Sequence, residues 1–299
     1  MPSPVLPLLY NPAARRGSAA RRIAAVQSAF ARRGIEVRMI ASSKAGDIEA
    51  LARELSDAGE PRLLLAGGDG SVHEAVNGLL ASQTPAALGL IPLGTGNDFA
   101  KANNIPLVPE AAVDALTSRL VADTMPRAVD AGLCNTRYFA NGAGIGFDAK
   151  VARIASGMRL PIGALVYPLA VLRGLLDGVL TPRMTLQFDE QTIDAQLTLA
   201  SFNIGQWVGG MFQIAPTAKT DDGFIDLVYV DALRRREVVQ LVPQLMQGSH
   251  LADPRVHQAA IRHCRIHAEA ELPAHLDGEN QPLQRDFDIS IVPAALHIL

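Results

Sequence analysis

The chain has 299 residues, enough to bury a sizeable core and to form two domains. Its formal net charge of −3 offers no general attraction to nucleic acid or to an anionic membrane. The two cysteines, Cys134 and Cys264, are far apart and supply neither a disulfide framework nor a zinc site, so a reducing cytoplasm is the default compartment.

The opening, Met1 to Pro7, carries three prolines and no basic region, and does not read as a secretory signal. Val5 to Tyr10 reads as a strand. Ile23, Val26 and Phe30 share one face of a predicted helix over 18–33, which Gly34 stops. A second strand, Val37 to Ala41, and a second helix over 46–58 follow. The apolar run Leu63-Leu64-Leu65-Ala66 then empties into Gly67-Gly68-Asp69-Gly70-Ser71. A helix starts at once, with Val72, Val76, Leu79 and Leu80 near the 3.6-residue period. Ser71 and Glu74 have capping-box spacing, which predicts Ser71 as the N-cap. Leu88 to Ile91 is a further strand and runs into Pro92-Leu93-Gly94-Thr95-Gly96-Asn97-Asp98-Phe99. This alternation predicts a mostly parallel α/β sheet.

From about residue 130 the texture changes. Short alternating or β-branched runs at 138–141, 184–188, 196–203, 224–230, 260–268 and 286–292 predict an antiparallel sandwich. Helical stretches near 151–178 and 234–247 interrupt it. The apolar segment 160–172 contains Pro161 and Pro168 and falls short of the ~20 residues of a membrane-spanning helix. No transmembrane segment is expected.

A strand, a glycine turn and a helix N-terminus together make a phosphate cradle, because free backbone N–H groups and the helix dipole point at the anion. Asp69 within that cradle repels phosphate unless a divalent cation or a shared proton lies between them. The loop therefore predicts phosphoryl chemistry with magnesium. Gly68-x-Gly70-x-x-His73 misses the third glycine of the dinucleotide fingerprint, and the P-loop and protein-kinase signatures are absent. The loop after Leu88–Ile91 leaves the same carboxyl edge of the predicted sheet, where α/β folds bind ligands.

These two loops, with Asn77-Gly78, resemble the catalytic domain of the diacylglycerol kinase family, and within it the bacterial single-subunit lipid kinases, including the YegS-like ones. Asn11-Pro12, Asp130-Ala131-Gly132, Asn141-Gly142-x-Gly144-x-Gly146-Phe147-Asp148, Ala215-Pro216-x-Ala218 with Asp221-Asp222-Gly223, and Asp277-Gly278-Glu279 extend the likeness over nearly the whole chain. Ser71 and His73 stand where the family commonly has threonine and asparagine. Arg15-Arg16 delay the glycine of the opening block to Gly17.

The resemblance implies a nucleotide-binding α/β domain over 1–130, of the NAD kinase and phosphofructokinase type, which a return of about 291–299 completes. A β-sandwich lipid-substrate domain over 131–290 makes up the rest. It implies transfer of the γ-phosphoryl of ATP to a hydroxyl of a diacylglycerol-like lipid, with ATP in a cleft between the domains and Mg²⁺ as cofactor. The work would be done at the inner membrane surface by a cytoplasmic, peripheral enzyme, with a homodimer left open. The implied nucleotide-binding residues are Asn11, Pro12, Ala13, Ala14 and Arg15; Ser42; Gly68, Asp69, Gly70, Ser71, Val72, His73 and Glu74; and Thr95, Asn97 and Asp98. For Ser42, helix capping is an equal alternative.

Asp69, Asp98 and Asp130 are expected at strand ends, sharing magnesium through water, though each can also cap a turn. Asp277 is expected as general base and Glu279 as its orienting partner. Asp-Gly is also the strongest hairpin signal, so an ordinary turn stays open there. A second magnesium site is implied at Asp222 with the carbonyls of Lys219 and Phe224, against the alternative of an Asp-Gly turn before a strand. Segments 157–178 and 207–212 read either as core or as the lining of an acyl-chain site, and 157–178 alternatively as a segment resting on a bilayer surface. The arginine clusters, among them Arg21-Arg22, read mostly as solvated helix faces, with assistance to ATP or a phospholipid headgroup as the alternative. Two other classes remain: a soluble-substrate kinase of the NAD kinase type, in which Asp69 is the base, and a non-catalytic nucleotide- or lipid-sensing module.

Overall fold

The structure is a computed structural model that describes residues 5–12, 19–158 and 166–299. It divides into two compact units, residues 1–129 with 294–299, and residues 130–293.

In the first unit the chain runs β1 (Leu6–Tyr10), α1 (Ala19–Arg32), β2 (Val37–Ala41), α2 (Asp47–Asp57), β3 (Arg62–Gly67), α3 (Asp69–Leu80), β4 (Ala87–Pro92), α4 (Asp98–Ala102) and α5 (Pro109–Val121). Beyond Arg62 at its start, β3 is apolar, as is β4, and both read as strands buried on both faces, as parallel sheets require. The pairs β2–β1, β1–β3 and β3–β4 are all parallel, with Leu8 opposite Leu64 and Leu64 opposite Gly89. Ile23, Val26 and Phe30 of α1 pack with Val113 and Leu116 of α5 against Leu8, Leu64 and Ile91. α2 and α3 lie close together: a Cβ on Gly78 would stand 2.1 Å from the carbonyl oxygen of Glu49. Glycine is required there. The two glycine loops follow the carboxyl ends of β3 and β4, so the edge expected to bind ligands carries both.

The second unit contains β5 (Arg127–Cys134, entering from the first unit), β6 (Arg137–Phe139), β7 (Gly142–Gly146), α6 (Phe147–Gly157), α7 (Val166–Leu176), β8 (Arg183–Phe188) and β9 (Gln191–Asn203). After these come β10 (Trp207–Val208), β11 (Phe212–Gln213), β12 (Ile225–Asp231), α8 (Arg235–Gln247), β13 (Val256–Ile261), β14 (His263–Leu272), β15 (Ala274–Leu276), β16 (Glu279–Asn280) and β17 (Gln284–Ile298). β17 ends in the first unit, where Ile298 pairs in parallel with Leu88 of β4. Apart from that pairing, the strands form an antiparallel sandwich. One layer runs β16-β15-β7-β9-β12-β13, and the other β9-β8-β14-β17-β5-β6. β9 serves both layers, pairing with β8 over 191–196 and with β7 and β12 further on. Period-two alternation sorts its side chains. Ala200 and Phe202 enter the core between the layers, while Leu199 and Ser201 face the opposite side. That side is covered by α6, α7 and α8, with Phe147, Val151, Leu175, Val238 and Leu241 packed over Val228, Val230 and Val256.

The mixed architecture expected from the sequence is present, with local corrections. The run 260–268 is not one strand: the ladder breaks at Arg262, because β13 pairs with β12 in one layer and β14 with β8 and β17 in the other. The glycine-rich block 142–146 is itself a strand, whose small residues let other groups approach closely. The helical stretch 151–178 is two helices, and residues 159–165 between them lie outside the described residues. Among the described residues no helix is long and apolar enough to cross a membrane.

Candidate active site

The two glycine loops of the first unit touch. A Cβ on Gly68 would stand 2.9 Å from the Cα of Gly94, and one on Gly94 2.7 Å from the Cα of Gly68. The contact is stitched by Leu93, whose N–H donates to the Gly67 carbonyl at 2.8 Å. Arg22 of α1 donates to the Leu93 carbonyl at 3.0 Å, so it supports the loop instead of lying on a solvated face. The N-cap of α3 is Gly68, not Ser71, and no side chain caps the helix. The reason is packing: Ser71 stands over Gly67, where a Cβ would be 2.5 Å from its own Cβ. Asp69, Gly70 and Ser71 therefore form the first helical turn, the position whose amides an anion satisfies.

Glu74 does not close a capping box. Its carboxylate accepts the N–H of Gly46 at 3.0 Å and of Ile48 at 3.1 Å, and so caps α2. Ser42 is not the helix cap either. Gly46 holds that position, and Ser42 is buried, with its N–H donating to the Tyr10 carbonyl at 2.9 Å. Val72 and His73 point into the protein, which leaves only their backbone for a ligand. Asn97, at φ 53°, closes its own turn: Oδ1 accepts from Gly94 N–H at 2.9 Å and Nδ2 donates to the Gly94 carbonyl at 3.2 Å. Thr95 is exposed at the tip of that turn. Asn11 and Pro12 follow β1, whereas Ala13, Ala14 and Arg15 lie outside the described residues.

Asp69 links the two loops. Its carboxylate accepts from the N–H groups of Asn97 and Asp98, each at 2.7 Å, and weakly from Phe99 at 3.4 Å. Burial, and then the charge of Asp98, push its pKa up to about 6, against the pull of those three amides. Lys101 Nζ lies 3.5 Å from Asp98. Two neighbouring carboxylates are the kind of hard oxygen donors that a divalent cation brought by a polyphosphate takes. Asp130 does not stand at a strand end. It lies within β5, where its carboxylate accepts the Gly223 N–H at 2.7 Å and its own N–H donates to the Thr220 carbonyl. Among the described residues no group of three or more His, Cys, Asp or Glu side chains gathers as a metal site.

In the second unit, Asp277 and Gly278 are the two central residues of a tight hairpin turn between β15 and β16, with φ 52° and 87°. Both positive angles mark the mirror-image turn that Asp-Gly favours. The Asp277 carboxylate accepts from Ala140 N–H at 3.0 Å on one oxygen, and from Asn141 and Gly142 N–H at 2.8 and 3.0 Å on the other. Three of its roughly four lone-pair sites are thus taken. Glu279, the first residue of β16, is exposed, and its carboxylate has no hydrogen bond or ion pair among the described residues. Asn141 Nδ2 donates to the Trp207 carbonyl at 2.7 Å, while its buried Oδ1 has no partner among the described residues.

The loop 219–224 forms the turn expected as the alternative to a metal site. Asp222 Oδ1 accepts the Phe224 N–H at 3.1 Å just before β12. The Asp222 side chain is exposed and retains a second oxygen, so hard oxygen ligands for magnesium remain compatible with the turn.

On the helix-covered face of the sheet lies an apolar pocket that is partly open to solvent. Tyr167 and Val171 of α7, Val208 and Phe212 of the short β10–β11 hairpin, and Val238 and Leu241 of α8 help to line it. Of the segments 157–178 and 207–212, open between core and lining, the described residues Tyr167, Val171 and Val208 contribute to both. Asp148 and His275 are also in its wall.

Residues 5–128 match the diacylglycerol kinase catalytic domain, and residues 141–299 match the YegS C-terminal NAD kinase beta sandwich-like domain. The chain belongs to the diacylglycerol kinase family. It is 31% identical over 300 residues to a diacylglycerol kinase of Mycobacterium tuberculosis (strain ATCC 25618 / H37Rv), covering 97% of this chain and 93% of that protein. It is 35% identical over 257 residues to a probable lipid kinase YegS-like of Chromohalobacter salexigens, covering 84% and 79%. The fold is that of a crystal structure of a diacylglycerol kinase from Bacillus anthracis str. Sterne, with a TM-score of 0.76 at 20% identity over 98% of this chain and 96% of that one.

Several residues of this family member that shape the site carry no signal in the sequence. Arg22 is one arginine among many, and Asp148 is only part of a glycine-rich block. His275 follows the alternation of β15, with nothing in its neighbours to mark it. Their partners are remote in sequence, and no local pattern reveals them.

Proposed function

We propose that this protein transfers the γ-phosphoryl of ATP to a hydroxyl of a diacylglycerol-like lipid. The observation that carries the lipid assignment is the apolar pocket, which extends over the sheet from His275 on β15 to Val256 on β13. Four strand spacings of ~4.8 Å make that about 19 Å. One acyl chain spans about 15 Å, half of a bilayer core. A pocket of that length and character suits a fatty chain and gives a polar substrate such as NAD little to bind.

In this reading the nucleotide phosphates lie on the amides of Asp69, Gly70 and Ser71, and the Gly94–Asn97 turn packs beside them. A magnesium ion bound with the phosphates would neutralise the charge of the transferring group. Asp69 and Asp98 would hold it, and Asp222 with the carbonyls of Lys219 and Phe224 would hold a second, structural one. Glu279 takes the proton of the lipid hydroxyl, because its exposed carboxylate is uncommitted among the described residues. Asp277, first expected in that role, fixes the turn through its three amides. The protein works from the cytoplasm as a peripheral enzyme on the inner membrane surface, and nothing in the reading requires a homodimer.

The test offers γ-labelled ATP with diacylglycerol in mixed micelles and, separately, with NAD. Label in the organic phase supports the proposal. Label in NADP would instead support a soluble-substrate kinase, and no transfer at all a sensing module.

A further inference from the structure

We infer that His275 is a positioning residue for the turn that carries Asp277 and Glu279, and that Asp148 fixes the tautomer this task needs. The inference rests on the reading of that turn given above. His275 is only 3% exposed. Its neighbours on β15, Ala274 and Leu276, enter the core between the sheets, so alternation directs His275 to the pocket side. There the imidazole makes two polar approaches. Nδ1 accepts the N–H of Gly278 at 3.3 Å, and Nε2 faces Asp148 Oδ2 at 3.7 Å.

The chemistry of the ring orders these contacts. A nitrogen that accepts an N–H carries no proton, so the neutral ring keeps its proton on Nε2. The Asp148 carboxylate favours a proton on the nitrogen that faces it. Asp148 is held in turn: its Oδ1 accepts the Ala149 N–H at 2.8 Å in the first turn of α6, where the helix dipole favours negative charge. Gly144 of β7 makes the arrangement sterically feasible. A Cβ there would stand 2.0 Å from Asp148 Oδ2 and 2.5 Å from His275 Nε2.

Gly278 is the peptide unit between the two carboxylates. Fixing its N–H fixes the plane from which Glu279 departs, while the three amides on Asp277 fix the other side of the turn. The same imidazole forms part of the apolar wall. An aliphatic residue would serve that wall better, since a buried polar ring is retained only where it is hydrogen-bonded. His275 therefore joins the pocket to the turn, and the pair acts on turnover through Glu279 without touching the transferred group.

The test compares the full-length chain with His275→Leu, His275→Asn and Asp148→Asn in the diacylglycerol assay. We expect His275→Leu to lower kcat about tenfold, the rate equivalent of one lost hydrogen bond, with KM for ATP within about twofold of wild type. His275→Asn, whose Oδ1 can still accept the Gly278 amide, should recover most of that loss, and Asp148→Asn should fall between the two. Wild-type kcat in His275→Leu, or equal losses in the Leu and Asn variants, would overturn the inference. A measurement on the unaltered protein guards against misfolded variants. In ¹⁵N-histidine NMR spectra, the imidazole signal missing from His275→Asn should be that of an Nε2–H ring with bare Nδ1. An Nδ1–H tautomer would refute the assignment. If wild type phosphorylates no lipid, the proposed function fails, and the tautomer still decides the role of His275.

Discussion

Glu74 on α3 accepts the N–H of Ile48, the second residue of α2, at 3.1 Å and that of Gly46 at 3.0 Å. The helix that begins at the first glycine loop thus caps its neighbour, whose own N-cap, Gly46, has no side chain to do so. Glu74→Ala should cost about 1 kcal/mol, the usual worth of an N-cap. Denaturant unfolding should show a lower midpoint, with ATP affinity close to wild type. A large loss of ATP affinity at unchanged stability would return Glu74 to the nucleotide site.

Asp69 makes stability depend on pH with a definite sign. Its folded pKa of about 6 lies above the unfolded reference of 3.8. Between those values the folded protein retains a proton that the unfolded chain has lost, so this contribution is complete below about 3.8 and disappears as pH rises through 6. Measured by urea midpoints, wild type should lose stability relative to Asp69→Asn between pH 4 and pH 6.5. A flat or rising difference would refute the raised value.

Glu279 and Asp277 should separate by phenotype. As the proposed base, Glu279→Gln should lower kcat about 10²–10⁴-fold with little change in thermal stability. Asp277→Asn places an amide NH₂ against one of the amide donors at 140–142 and should destabilise the fold by about 1–3 kcal/mol. Near-normal turnover in Glu279→Gln would remove it from the mechanism.

The loop at Asp222 tests the second magnesium site. If the ion is held there, adding Mg²⁺ should raise the Tm of wild type by mass action, and Asp222→Ala should lose the rise. The same Mg²⁺ response in both proteins would leave only the turn, whose lost Phe224 bond is worth about 1 kcal/mol.

Local chemistry made much of the fold legible. Apolar runs marked β3 and β4, helical periodicity marked α1 and α3, and the dipeptide Asp277-Gly278 marked a hairpin. Each of these signals lies within a few residues of what it describes. The start of α3 was misread because capping-box spacing is necessary but not sufficient. Ser71 was already packed on Gly67, and Glu74 found the amides of α2. Likewise 260–268 looked like one strand because its pattern continues through the point where the chain changes layers.

The residue order by itself thus determined which segments become strand, helix or turn, where the glycine loops fall, and which family the chain resembles, because backbone preference and side-chain periodicity act over short distances. Only the folded molecule decided what each carboxylate does. Asp277 is bound to amides more than 130 positions earlier in the chain and Glu74 to a different helix, whereas the Glu279 carboxylate has no hydrogen bond or ion pair among the described residues. A charged group takes whichever donors packing brings within 3 Å, and packing is a property of the whole chain.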